Sequence, residues 1–120
     1  MFSVSIDKSN TKLTIALKAR FDLKDAEQLY AQVEENVPKL GKGFILLTDL
    51  TSLDHMDLNT KSSIEKTMDL LNKRGVAKII RIIPDQKKDI GFSIMSLFHY
   101  STEVPIHTFT SYQQASEHLK

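Results

Sequence analysis

At 120 residues the chain can bury one hydrophobic core, and it is read as one domain over residues 1–120. Hydrophobic residues make up 41% and charged residues 26%, a balance that excludes an intrinsically disordered chain. With 16 Lys and Arg against 15 Asp and Glu, no basic stripe and no cysteine, the sequence argues against a nucleic-acid partner and excludes disulfides, thiolate metal sites and a cysteine nucleophile.

In chain order, FSVSID and LTIALKA alternate apolar and polar residues around the turn-forming KSNTK, which predicts a β-hairpin. The N-terminal MFSVSIDKSN has neither a basic n-region nor a long apolar h-region, so no signal peptide is expected. Asp22 is placed to cap a helix whose stripe is Ala26, Leu29, Tyr30 and Val33, and Pro38 should end it near Val37. FILLTDL and AKIIRII are short runs of branched apolar residues, predicted to be strands covered on both faces. The second of them is broken by Arg81 and is too short to span a membrane, so a cytoplasmic protein without a transmembrane segment is expected.

Between these strands TKSSIEKTMDLLNKRG reads as a helix, with Ile64, Met68 and Leu71 on one face and Lys61–Glu65 and Asp69–Lys73 paired outside. Gly75 follows as its C-terminal stop. KDIGFSIMSLFHYS predicts a third helix, VPIHTF a last strand, and Ser111 with Gln114 opens a final helix facing inward through Tyr112, Ala115 and Leu119. The expected fold is α/β in the order ββαβαβαβα, a mixed five-stranded sheet with four helices, its last three strands parallel.

The chemistry-bearing stretch is DLTSLDHMDLNTKSS, residues 49–63, which joins a strand to a helix. Such junctions present backbone N–H groups and the positive end of a helix dipole. Asp57 stands just before the helical pattern and is expected to cap it, accepting from the N–H groups of Asn59 or Thr60. Asp49, Asp54 and Asp57 all fall in polar sequence, without the opposed environments that a general acid and base require. His55 is a loop histidine, a residue type suited to acid–base or metal chemistry, but His99, His107 and His118 lie on other elements, so no metal site is expected. No glycine-rich phosphate loop, nucleophile elbow or metal-ligand cluster is present, no cofactor is implied, and the chain is not read as an enzyme.

The element order, with a loop of the form strand–D-L-T-x-L-x-x-M-D–helix, resembles the STAS family, the domains of anti-sigma factor antagonists and of the cytoplasmic end of sulfate transporters. The resemblance runs from about Phe2 to the final helix. It implies a non-enzymatic regulatory module that binds a protein, commonly a kinase or an anti-sigma-like factor, through this junction. In such domains the junction carries an Asp-Ser-Ser-Gly-like sequence in which a serine is phosphorylated. Asp57 matches the aspartate and Met56 the apolar residue before it, while Leu58 and Asn59 stand where the serines would be.

The implied protein is therefore a divergent, SpoIIAA-like member without the usual phosphoserine switch. Leu53, Asp54, His55, Asp57, Asn59 and Thr60 are its candidate partner-binding residues. Thr60, Ser62 and Ser63 are the hydroxyls nearby that could accept phosphate.

A second candidate surface lies on the third predicted helix, residues 88–101. Ile90, Ile94, Met95, Leu97 and Phe98 would seat it on the sheet, leaving Phe92 and Tyr100 outside that arc. Phe92, Met95 and Tyr100 could serve a protein partner, a second copy in a homodimer, or an apolar ligand such as a lipid. A small carrier or sensor of such a ligand is the alternative function.

Overall fold

A computed structural model of the chain describes residues 1–83 and 104–119. Two alternating segments, β1 (Phe2–Ile6) and β2 (Lys12–Phe21), form the expected hairpin, in unbroken antiparallel register from Phe2 opposite Leu17 to Ile6 opposite Leu13. The Asp7 carboxylate ties the turn, accepting from the backbone N–H groups of Thr11 (2.9 Å) and Lys12 (3.0 Å). β3 (Ile45–Met56), β4 (Lys78–Ile82) and β5 (Ile106–Phe109) then run parallel to β2, giving a mixed five-stranded sheet in spatial order β1-β2-β3-β4-β5.

Helix α1 (Leu23–Asn36) begins with the cap anticipated at Asp22. It is a reciprocal box: Asp22 accepts from the Asp25 N–H at 2.8 Å, and Asp25 accepts from the Asp22 N–H at 3.1 Å. Ala26, Leu29 and Val33 are buried beneath it, and the helix gives way at Val37 to a 3-10 turn containing Pro38. Helix α2 (Lys61–Lys73) buries Ile64, Thr67, Met68 and Leu71 and carries the anticipated outer ion pairs, Lys61–Glu65 at 4.0 Å and Lys73–Asp69 at 3.1 Å.

Gly75, at φ +89°, ends α2. Its N–H donates to the Asn72 carbonyl and that of Val76 to the Leu71 carbonyl, the paired bonds of a Schellman stop.

The main core lies between the sheet and α1 and α2, with Leu13, Leu17, Phe21, Val33, Leu50, Leu71 and Ile79 at most 1% exposed. Fully burying a side chain of this size stabilises the fold by roughly 1.5–3 kcal/mol. On the opposite face, Leu47, Ile80 and Ile82 pack on Ala115 of the short helix α3 (Tyr112–Ser116). The central strands are therefore apolar on both sides because both sides are covered.

The third helix expected over residues 88–101, and with it Phe92, Met95 and Tyr100, lies outside the described residues, which contain three α-helices. Two local expectations at α3 are corrected. Tyr112 is 55% exposed rather than inward. Gln114 reaches back to the N–H and hydroxyl of Thr110, one residue before the Ser111 cap, so the box is open on one side.

Candidate functional site

The stretch expected to be a polar loop is largely strand: β3 continues through Asp49, Asp54 and His55 to Met56. What allows this is irregular pairing with β2. Ala16 stands opposite Asp49 but Lys18 opposite Ser52, and Ala19 stands opposite Leu53 but Arg20 opposite His55, so β3 carries one extra residue at each step. Leu50, Leu53 and Met56 are spaced by three rather than two. Each bulge resets the inward phase, returning Leu53 to the core (2% exposed) and Met56 to its edge. On the facing strand Ala19 adopts a left-handed conformation, φ +53°, at the second irregularity.

This distortion sets Arg20 directly across from His55, at the end of β3 where the chain leaves the sheet. Asp57 follows in extended conformation, its N–H donating to the Phe21 carbonyl at 3.0 Å. Its carboxylate turns back over the strands. Arg20 donates to it in a two-point fork, Nε to Oδ1 at 3.2 Å and Nη2 to Oδ2 at 2.9 Å, and His55 Nε2 lies 3.0 Å from Oδ1.

The Arg20 hydrogen bonds hold the Asp57 carboxyl below its ordinary range against the opposing effect of desolvation, and Asp57 in turn raises Arg20. Arg20 and His55 are 70% and 65% exposed against 18% for Asp57, so the carboxylate is the sheltered centre of a surface network.

The cap expected of Asp57 is therefore corrected: its side chain makes no bond to the following turn. A planar, charged fork arriving from the next strand outcompetes neutral backbone amides. Its backbone carbonyl serves the turn instead, accepting from the Thr60 N–H at 3.1 Å and the Thr60 hydroxyl at 2.7 Å. Leu58–Thr60 form a single 3-10 turn and α2 starts after it.

The structure divides the candidate residues. It brings His55 and Asp57 together and leaves Asp54 and Asn59 exposed. Leu53 and Thr60 point inward, at 2% and 1% exposure, so neither side chain is available to a partner in this conformation. Of the three hydroxyls, Thr60 is sequestered, Ser62 is exposed and Ser63 is half-buried. Asp49 is engaged locally, accepting from the N–H and hydroxyl of Thr51, and takes no part in the Asp57 network.

Two contributors were not among the candidates. Arg20 lies 37 residues before its partner, and only knowledge that β2 pairs with β3 would have revealed it. Leu58, at the tip of the turn, is 96% exposed. An apolar residue immediately after a structured aspartate was the available signal for it.

Among the described residues, no group of three or more His, Asp or Glu converges as a metal site. No helix among them is long and apolar enough to cross a membrane. Between the sheet and α1 and α2 lies a cavity of about 30 Å³, lined by residues including Ile15, Leu29, Thr48, Met68 and Arg81. That is room for about two water molecules.

The fold is SpoIIAA-like, the STAS architecture expected from the junction motif and element order. An uncharacterised DUF3478-family protein from Shewanella loihica superposes at a TM-score of 0.76 with 16% identity, over 99% of this chain and 94% of that one. The anti-sigma factor antagonist SpoIIAA in its unphosphorylated form superposes at 0.66 with 15% identity, over 99% and 97% of the two chains. An anti-sigma factor antagonist from Mycobacterium paratuberculosis does so at 0.60 with 11% identity, over 99% and 94%. The sequence matches no family model and no curated protein.

Proposed function

We propose that this protein is a non-enzymatic regulatory module, cytoplasmic and acting like an anti-sigma factor antagonist, that presents the Met56–Lys61 junction to a partner protein such as a kinase or anti-sigma-like factor. The observation that carries the reading is Leu58. A leucine 96% exposed at the tip of a one-turn 3-10 segment packs against almost nothing among the described residues, and the segment is braced from behind by the Arg20–Asp57–His55 network. Apolar side chains held rigidly and surrounded by polar groups suit insertion into a partner's pocket. Resemblance to two anti-sigma factor antagonists supports this class of activity.

Regulation by the usual phosphoserine is not part of the proposal. Leu58 and Asn59 occupy the positions of the serines, and the Thr60 hydroxyl is buried against the Asp57 carbonyl. A kinase would have to unfold the turn to reach it.

The test is quantitative affinity enrichment from the natural source with wild-type protein and Leu58→Asp as baits. A specific protein retained by wild type and lost by Leu58→Asp, with unchanged circular dichroism, is expected. Equal retention by both baits would contradict the proposed site. Leu58 is a cleaner probe than Asp57, whose charge reversal would also break the pairing with Arg20.

The carrier alternative rests on Phe92, Met95 and Tyr100, outside the described residues, and the cavity beneath α1 and α2 is far too small for a lipid. No observation on the described residues favours it.

A further inference from the structure

β1 forms one edge of the sheet, and its hydrogen-bonding groups divide by parity. The Lys18 N–H donates to the Met1 carbonyl and the Asp7 N–H to the Lys12 carbonyl, so residues 1 and 7 exchange bonds with β2. In an antiparallel ladder such pairs alternate, which assigns the groups of Ser3 and Ser5 to β2 as well. The N–H and C=O groups of Phe2, Val4 and Ile6 therefore point away from the sheet, and among the described residues none of them is hydrogen-bonded.

Exposed edges are normally blunted by a charge, a proline or a bulge, and β1 has none of these between Phe2 and Ile6. Its sequence, FSVSI, is also close to a palindrome about Val4.

We infer that β1 is a homodimer interface, in which two copies pair antiparallel about a two-fold axis at Val4 and join their sheets edge to edge. In that register Val4 faces its own symmetry mate and Phe2 faces Ile6 of the second copy. Because the outward groups belong to the even residues, this one alignment closes all of them, whereas centring the axis on Phe2 or Ile6 would leave most open. The pleat agrees. Phe2, Val4 and Ile6 are half-buried on the helix-covered face and would extend one apolar layer, while the exposed Ser3 would lie across from Ser5 on the other face.

A two-fold axis through β1 sends the two Met56–Lys61 junctions to opposite ends of the joined sheet, so the dimer leaves both open. The inference rests on β1 alone and stands whether or not the junction binds a partner.

The test combines sedimentation with amide exchange on the full chain, tagged only at its C-terminus. Wild type should sediment at twice its 13.6 kDa mass. The amides of Phe2, Val4 and Ile6 should gain protection as concentration rises. Val4→Pro removes an outward donor and none of the bonds to β2, and should weaken dimerisation by about tenfold or more.

Should Val4→Pro fail to fold, the double change Ser3→Lys with Ser5→Lys alters exposed positions only. It sets like charges across the axis and should give a folded monomer. The inference is overturned if wild type stays monomeric at millimolar concentration. It is equally overturned if a dimer persists in the lysine variant, or if the three even amides exchange rapidly within the dimer.

Discussion

Asp57 holds the junction together through bonds that require its charge. Because Arg20 lowers its carboxyl in the folded state, the stabilisation is complete above the ordinary carboxylate value and is lost as pH falls through the lowered folded value. Urea midpoints of wild type and Asp57→Asn should therefore differ at pH 7, and the gap should shrink progressively as pH falls below the ordinary aspartate value of about 3.9. A gap that persists undiminished in acid would show that the ionised pair is not what matters. Leu58 is the opposite kind of residue: Leu58→Asp should change stability by less than about 0.5 kcal/mol, because almost all of its side chain is already in water.

At the scale of elements, the informative segments are those where regular geometry gives way. Ala19 sits in the left-handed region beside a bulge, a conformation that costs an L-residue roughly 1–2 kcal/mol. Ala19→Gly should relieve that strain and raise the melting temperature despite glycine's greater unfolded-state freedom. A fall in melting temperature would show that the Ala19 methyl group does more packing than its half-buried position indicates. Gly75 makes the same demand from the other side. Space for a methyl group exists, with Lys42 Cβ at 3.9 Å, so Gly75→Ala should cost about 1 kcal/mol through φ +89° alone, measured by denaturant unfolding.

Legibility in the sequence follows the same division. The hairpin, α1 and α2 were readable because their apolar residues keep a period of two or 3.6. The far half of β3 was not, because Leu50, Leu53 and Met56 fit neither period until the bulges are known. Arg20 was hidden for the same reason, since its pairing with Asp57 depends on a register that no local pattern encodes.

For the whole molecule, apolar runs bounded by glycine and proline foretold strands covered on both faces, and the sheet has them at β3 and β4. The strand-to-helix junction lies at the carboxyl end of a parallel strand, as expected, but β3 runs on to Met56, past the Leu50 at which FILLTDL ends. What had to be seen was which side chains there face outward: Leu53 and Thr60 turn to the core, and Leu58 to solvent. Among the described residues the fold thus offers two separate surfaces, a braced apolar tip at one end of the sheet and, at its edge, a strand paired on one side only. The proposed partner binding and the inferred pairing with a second copy would therefore not compete.

The most direct measurement is site-specific photocrosslinking inside the natural host. A photoreactive side chain is placed at position 58 and, as a control, at exposed Lys39 beyond the far end of α1. The expected result is one discrete adduct with a different protein from position 58 and none from position 39. No adduct from position 58, or the same adducts from both positions, would contradict the assignment of the Leu58 turn as the partner-binding site.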